Sequence, residues 1–184
     1  MGCNIVDVPS HYIGDFKVGD NIAYNSDVLC ELVNSNDGGR FNKLIVIQAA
    51  SILEASLGEI IYRAQKFYIE GLSGIKEKDL EEIRGKKIDK LNNIILIMQK
   101  YKILHNLSET IYSEINELRI LRNKIHIQDD IGNGFSRDED AVFTNELRDR
   151  CLRLLLLIIE FLNSNYPRPN HAKGYVRPLR LPKP

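Results

Sequence analysis

Residues 41–68 read FNKLIVIQAASILEASLGEIIYRAQKFY, and the class of fold turns on them. Leu44, Ile47, Leu57, Ile61 and Ala64 fall on the three- and four-residue spacing of an amphipathic helix. The spacing predicts one long helix from about Phe41 to Tyr68, closed by Gly71. Glu54 lies seven residues from both Ile47 and Ile61, which puts a carboxylate on the buried line of that helix. A charge there requires a partner.

Upstream, Asn34-Ser35-Asn36-Asp37-Gly38-Gly39 is a strong breaker. Asn25 to Val33 reads as a short helix, and His11 to Asp20, with Gly14 and Gly19, as loop or a short extended arm. Downstream, a charged, solvated connector from Glu77 through Lys87 leads to a second helix, about Lys86 to Tyr101, buried through Ile88, Leu91, Ile95 and Met98. A third begins near Ser108, with Asn106 or Ser108 as its cap, and runs to about Ile127 before the loop Asp129 to Gly134. The fourth spans about Thr144 to Asn163, with Pro167 just beyond. Leu152 and Leu154 through Ile159 cover nearly every side of it, so it is surrounded by neighbours in a bundle or across a subunit interface. No segment reads as a convincing strand. The expectation is an all-α antiparallel bundle of four to five helices over residues 40–164. Residues 1–39 form an arm with a short helix, and residues 165–184 a basic, Pro-rich tail.

Composition sets the outer bounds. Apolar residues make up 43% of the 184, charged residues 27%, and the 25 basic and 25 acidic side chains cancel. This is globular composition with no overall attraction for nucleic acid. The balance is uneven, because no acidic residue follows Glu160 whereas Arg168, Lys173, Arg177, Arg180 and Lys183 all do. Such a tail is either a solvated terminus or a contact for an acidic partner or RNA. Cys3, Cys30 and Cys151 are odd in number and scattered, as expected of reduced thiols in a cytoplasmic protein. Met1-Gly2-Cys3 lacks the Ser or Thr that acylation needs at position 6, which is Val, and no signal peptide is visible. Leu154 to Ile159 is too short to span a bilayer, so no membrane is expected.

The third helix carries the chemistry. Ile111, Ile115, Leu118 and Ile125 form its apolar stripe, and Arg119, Arg122 and His126, at i, i+3 and i+7, project together beside that stripe. An arginine fork can hold two phosphodiester oxygens and neutralise charge building at phosphorus. An imidazole titrating near neutrality can take a proton from a 2′-hydroxyl or return one to the leaving oxygen. No metal motif, P-loop, Rossmann turn or nucleophile elbow is present, so no cofactor or metal is expected. The structural alternative is equally concrete. Cations near a helix C-terminus are favoured by its dipole by about 0.3–1 kcal/mol, and Arg119 or Arg122 could be the partner that Glu54 needs. His11, His105 and His171 read as surface residues. Tyr62, Phe67 and Tyr68 could stack on bases but fit a core.

A long helix, a second helix, a third ending in Arg122-Asn123-Lys124-Ile125-His126, a loop and a strongly apolar fourth helix together resemble the HEPN superfamily over roughly Phe41 to Asn163. These are four- to five-helix domains of prokaryotic toxins and defence systems and of some eukaryotic ribonucleases. Their signature is an arginine, usually followed by Asn, Asp or His, and a histidine after four to six intervening residues. Arg122 has the polar neighbour Asn123 but only three residues before His126; Arg119 has six but is followed by Ile120. The resemblance implies a homodimer that cuts RNA without metal, in a toxin–antitoxin or phage-defence setting. In it His126 is the general acid or base, Arg122 the phosphate clamp, Asn123 the orienting group and Arg119 the second arginine. Other members of the superfamily are inactive, so the alternative it implies is a non-catalytic pairing module for a cognate protein.

Overall fold

The computed structural model describes residues 4–67, 70, 72, 75–88, 90–124 and 136–184. In chain order the elements are β1 (Asn4–Val8), α1 (Phe16–Asn34), α2 (Asn42–Lys66), α3 (Glu77–Arg84), α4 (Leu91–Lys100), α5 (Ile111–Asn123), α6 (Glu139–Val142), α7 (Asn145–Asn165), a 3-10 turn (Asn170–Ala172) and β2 (Leu179–Lys183). The molecule is mostly helical, as expected, with one small sheet that was not.

The long helix α2 is the axis of the molecule, touched by α1, α3, α4, α5 and α7. Because neighbours lie on several sides, its buried set is wider than one stripe. Ile45, Leu53, Leu57, Ile60 and Ala64 are buried, and so are the polar Glu59 and Arg63. Leu44, expected on the apolar face, is instead 50% exposed, because the covered sector is centred one residue further on. By length and composition α2 could cross a membrane, yet 61% of its most apolar window is buried within the protein, as in a core helix.

α7 starts where expected, its cap Thr144 accepting a hydrogen bond from the Leu147 amide at 3.2 Å. Leu152, Leu155, Ile158, Ile159 and Leu162 are buried, but Leu157 is 43% exposed, so the helix is not covered all round. α4 and α5 are shorter than expected. Their buried faces are those read from the sequence, Leu91, Ile95 and Met98 on α4 and Ile111, Ile115 and Leu118 on α5. The connector before α4 holds a helix, α3, which buries Leu80 and Ile83.

The two ends depart most from expectation. α1 runs for 19 residues rather than as a short helix in an arm. Asp15 starts it, its carboxylate accepting hydrogen bonds from the amides of Lys17 and Val18 at 2.9 and 3.1 Å. Gly19, expected in a loop or extended arm, lies inside the helix, where a Cβ would come within 2.4 Å of Val176 Cγ2. It is there for close packing, not for a turn. The tail turns back to form β2, antiparallel to β1 from Asn4↔Lys183 to Val8↔Leu179. Leu179 and Leu181 are buried on the side toward α1 and α7.

Before β2, Arg168 is buried. Its Nη2 donates to Glu70 Oε1 at 2.6 Å and its Nη1 to the Gly14 carbonyl at 3.3 Å. Its guanidinium also lies 4.7 Å from the Phe67 ring centre. Arg63 joins the cluster, its Nε 3.5 Å from Glu70 and its Nη1 donating to the carbonyls of Tyr12 and Tyr166. Arg177 and Arg180 both approach Asp27. The basic charge of the tail is thus largely matched by acidic residues of the body.

Candidate functional site

α5 packs through Ile111, Ile115, Leu118 and Leu121, and the helical period then turns Arg119 and Arg122 toward the edge facing α2 and α4. Helix α5 ends at Asn123. His126 lies outside the described residues, as does Ile125. Lys124 closes the helix; it is buried, and its ammonium donates to the Ser136 carbonyl at 2.9 Å.

Glu54, on the middle of α2, is the centre of the arrangement. One carboxylate oxygen forms an ion pair with Arg122. The other accepts a hydrogen bond from the Leu91 amide at 3.1 Å. Leu91 is the first residue of α4, whose own cap residue, Lys90, supplies no side-chain acceptor. Glu54 therefore satisfies an amide that the α4 terminus leaves open, and places negative charge at the positive end of that helix. The carboxylate expected on the buried line of the long helix is only partly buried, with 23% of its side chain exposed, and its partner is one of the two arginines anticipated.

Around this pair lies an open groove of about 350 Å³, walled by Glu54, Lys90, Asn92, Arg119, Arg122 and Asn123. Arg119 Nε donates to Asn116 Oδ1 at 2.9 Å, and among the described residues Arg119 has no carboxylate partner. Three cations thus face the groove against one carboxylate. Such a surface favours an anion with several acceptor oxygens, which guanidinium forks and an ammonium can bind together. The structure brings Arg119, Arg122, Asn123 and Glu54 into one groove. Lys90 and Asn92 were not anticipated, because the turn from α3 to α4 delivers them and no period within either helix announces it.

The other candidates lie elsewhere. Tyr62 and Phe67 make an edge-on contact at 5.8 Å beside the Arg168 cluster, and Tyr68 is outside the described residues. His105 and His171 are exposed. Cys30 and Cys151 are buried, the Cys30 thiol donating to the Arg180 carbonyl at 3.3 Å, and burial pushes the Cys151 thiol up to about 12; Cys3 lies outside the described residues. No described group of three or more His, Cys, Asp or Glu residues could hold a metal ion. No family model, curated protein or solved structure matches this chain.

Proposed function

We propose that this chain is a HEPN-like, metal-independent endoribonuclease that acts as a homodimer in the cytoplasm, in a toxin–antitoxin or phage-defence setting. The observation that supports this reading is the solvent-open groove in which Arg119, Arg122 and Lys90 outnumber Glu54. In this reading Arg122 and Arg119 hold the phosphodiester, Asn123 orients it, and His126, three residues beyond Asn123 in sequence, exchanges the proton with the 2′-hydroxyl. RNA supplies its own nucleophile, so the groups needed are those that bind phosphate and move one proton.

The test is cleavage of RNA in EDTA by the wild type, His126→Ala and Arg122→Ala. Each substitution is expected to slow cleavage by about a hundredfold or more. Uncut RNA with the wild type, or equal cutting by the variants, overturns the proposal.

A second reading, a non-catalytic helical pairing module for a cognate protein, draws on a different observation. Arg122 and Glu54 together with the Leu91 amide bracket α2, α4 and α5, which is a structural use of the same arginine. Leu44, Leu96 and Leu157 meanwhile stand exposed on three helices. This reading expects His126→Ala to retain its partner in a pull-down and the wild type to leave RNA intact.

A further inference from the structure

We propose that Glu54 is a built-in competitor for Arg122, holding the groove in a low-affinity state until single-stranded RNA spanning at least two phosphates displaces it. This rests on the reading of the groove as an RNA site. It adds to that reading how the site is regulated and the smallest ligand it takes.

The two partners are held differently. Glu54 is anchored twice, by Arg122 and by the Leu91 amide at 3.1 Å, so the carboxylate stays in place when the guanidinium leaves. Arg122 sits at the end of a long flexible side chain, and the Glu54 pair is its one described ionic contact. Arg122 is therefore the half that moves. The pair also lies in the groove wall rather than the core, with 30% of the Arg122 side chain and 23% of the Glu54 side chain exposed. Separating it strands no fully buried charge, and a partly exposed pair is held weakly enough for a phosphate to compete. A phosphodiester offers the planar fork two oxygens where Glu54 offers it one, the other carboxylate oxygen being taken by the Leu91 amide, so the exchange replaces a single-oxygen partner with a bidentate one.

The charge count sets the ligand. Lys90 and Arg119 carry no described carboxylate partner, and they stand on different elements, the start of α4 and the side of α5. Adding Arg122 and subtracting Glu54 leaves the groove with an excess of two positive charges, which matches two phosphodiesters better than one. The first contacts fall to Lys90 and Arg119, and Arg122 follows once it turns from Glu54.

Glu54→Gln isolates the charge. The amide oxygen of glutamine still accepts from the Leu91 amide, so the start of α4 keeps its partner, while the competitor's negative charge is gone. Binding is read by fluorescence anisotropy with a short labelled 2′-O-methyl oligoribonucleotide, which lacks the nucleophilic hydroxyl and is not cut during the measurement. Glu54→Gln is expected to bind about three- to tenfold more tightly than the wild type at low salt. That gain should vanish in Glu54→Gln/Arg122→Gln and shrink as salt is raised. If Glu54→Gln folds poorly by circular dichroism, Glu54→Asp withdraws the charge by one methylene and is expected to give a smaller gain in the same direction. Wild-type binding that falls on Arg119→Ala but is unchanged or weaker in both Glu54 variants overturns the competitor role and leaves the RNA groove standing. Absence of binding by every protein overturns both.

Discussion

Gly19 shows how a single residue can carry opposite meanings in one and three dimensions. In an exposed helix interior, replacing glycine by alanine stabilises by about 1 kcal/mol. Here a Cβ would meet Val176 Cγ2 at 2.4 Å and Ile13 Cγ2 at 2.9 Å, and overpacking of this kind costs about 1–3 kcal/mol. Gly19→Ala is therefore expected to lower the urea midpoint, and a raised midpoint would contradict the packing described. The same residue explains why α1 was legible only in part. Sequence patterning weighs glycine as a break, whereas the contact that requires it comes from Val176, more than 150 positions away in the chain. Arg122 is the converse case. Its place on the edge of the α5 stripe follows from helical period alone, whereas the spacing of Glu54 on α2 left Arg119 and Arg122 as equal candidates for the pair, and the fold selects Arg122.

At the scale of elements, α3 and α4 are joined by a charged cluster on their outer surface. Glu82 on α3 accepts from Lys100 Nζ at 2.6 and 2.7 Å and from the Tyr101 hydroxyl at 2.7 Å, and it pairs with Lys86. Hydrogen bonds from Lys100, Lys86 and Tyr101 hold its carboxyl well below the usual range, at about 2 against 4.5. A carboxylate depressed on folding contributes stability that is present above the unfolded value and lost as the proton is taken up. Urea unfolding of the wild type and Glu82→Gln should thus differ above about pH 4.5 and converge as the pH falls toward 2. The cluster is exposed, so added salt should narrow the gap. A difference that persists unchanged at pH 2 would rule out this carboxylate as its source. α3 itself escaped a reading by pattern because eight residues give two buried positions, Leu80 and Ile83, too few to establish a period. Lys90 and Asn92 escaped for a related reason, since the turn after α3 decides which groove they face. The long helices α2 and α7, with many turns of consistent burial, were the legible part.

Over the whole molecule, the chain's last twenty residues are structural. Arg168 reaches Glu70 between α2 and α3, Tyr166 offers its carbonyl to Arg63, and β2 covers α1 and α7 with Leu179 and Leu181. Arg168→Ala leaves Glu70, whose side chain is 10% exposed, without its closest cation, a change expected to cost about 3–5 kcal/mol. Deleting residues 166–184 should abolish cooperative thermal unfolding. A truncated chain that melts as sharply and as hot as the full one would return this segment to the status of a solvated tail. Counting charges and prolines hid its role, because its acidic partners Asp27 and Glu70 lie far away in sequence and only the fold matches them.

The pairing of β1 with β2 sets how the protein yields to tension. Asn4 lies opposite Lys183 at the outer end of the ladder and Val8 opposite Leu179 at the inner end. Pulling the two termini apart loads the rungs one after another from Asn4 and Lys183 inward, as in a zipper, rather than shearing all of them at once. The sheet would therefore part at low force and release the C-terminal wrap before the helices around α2 bear load.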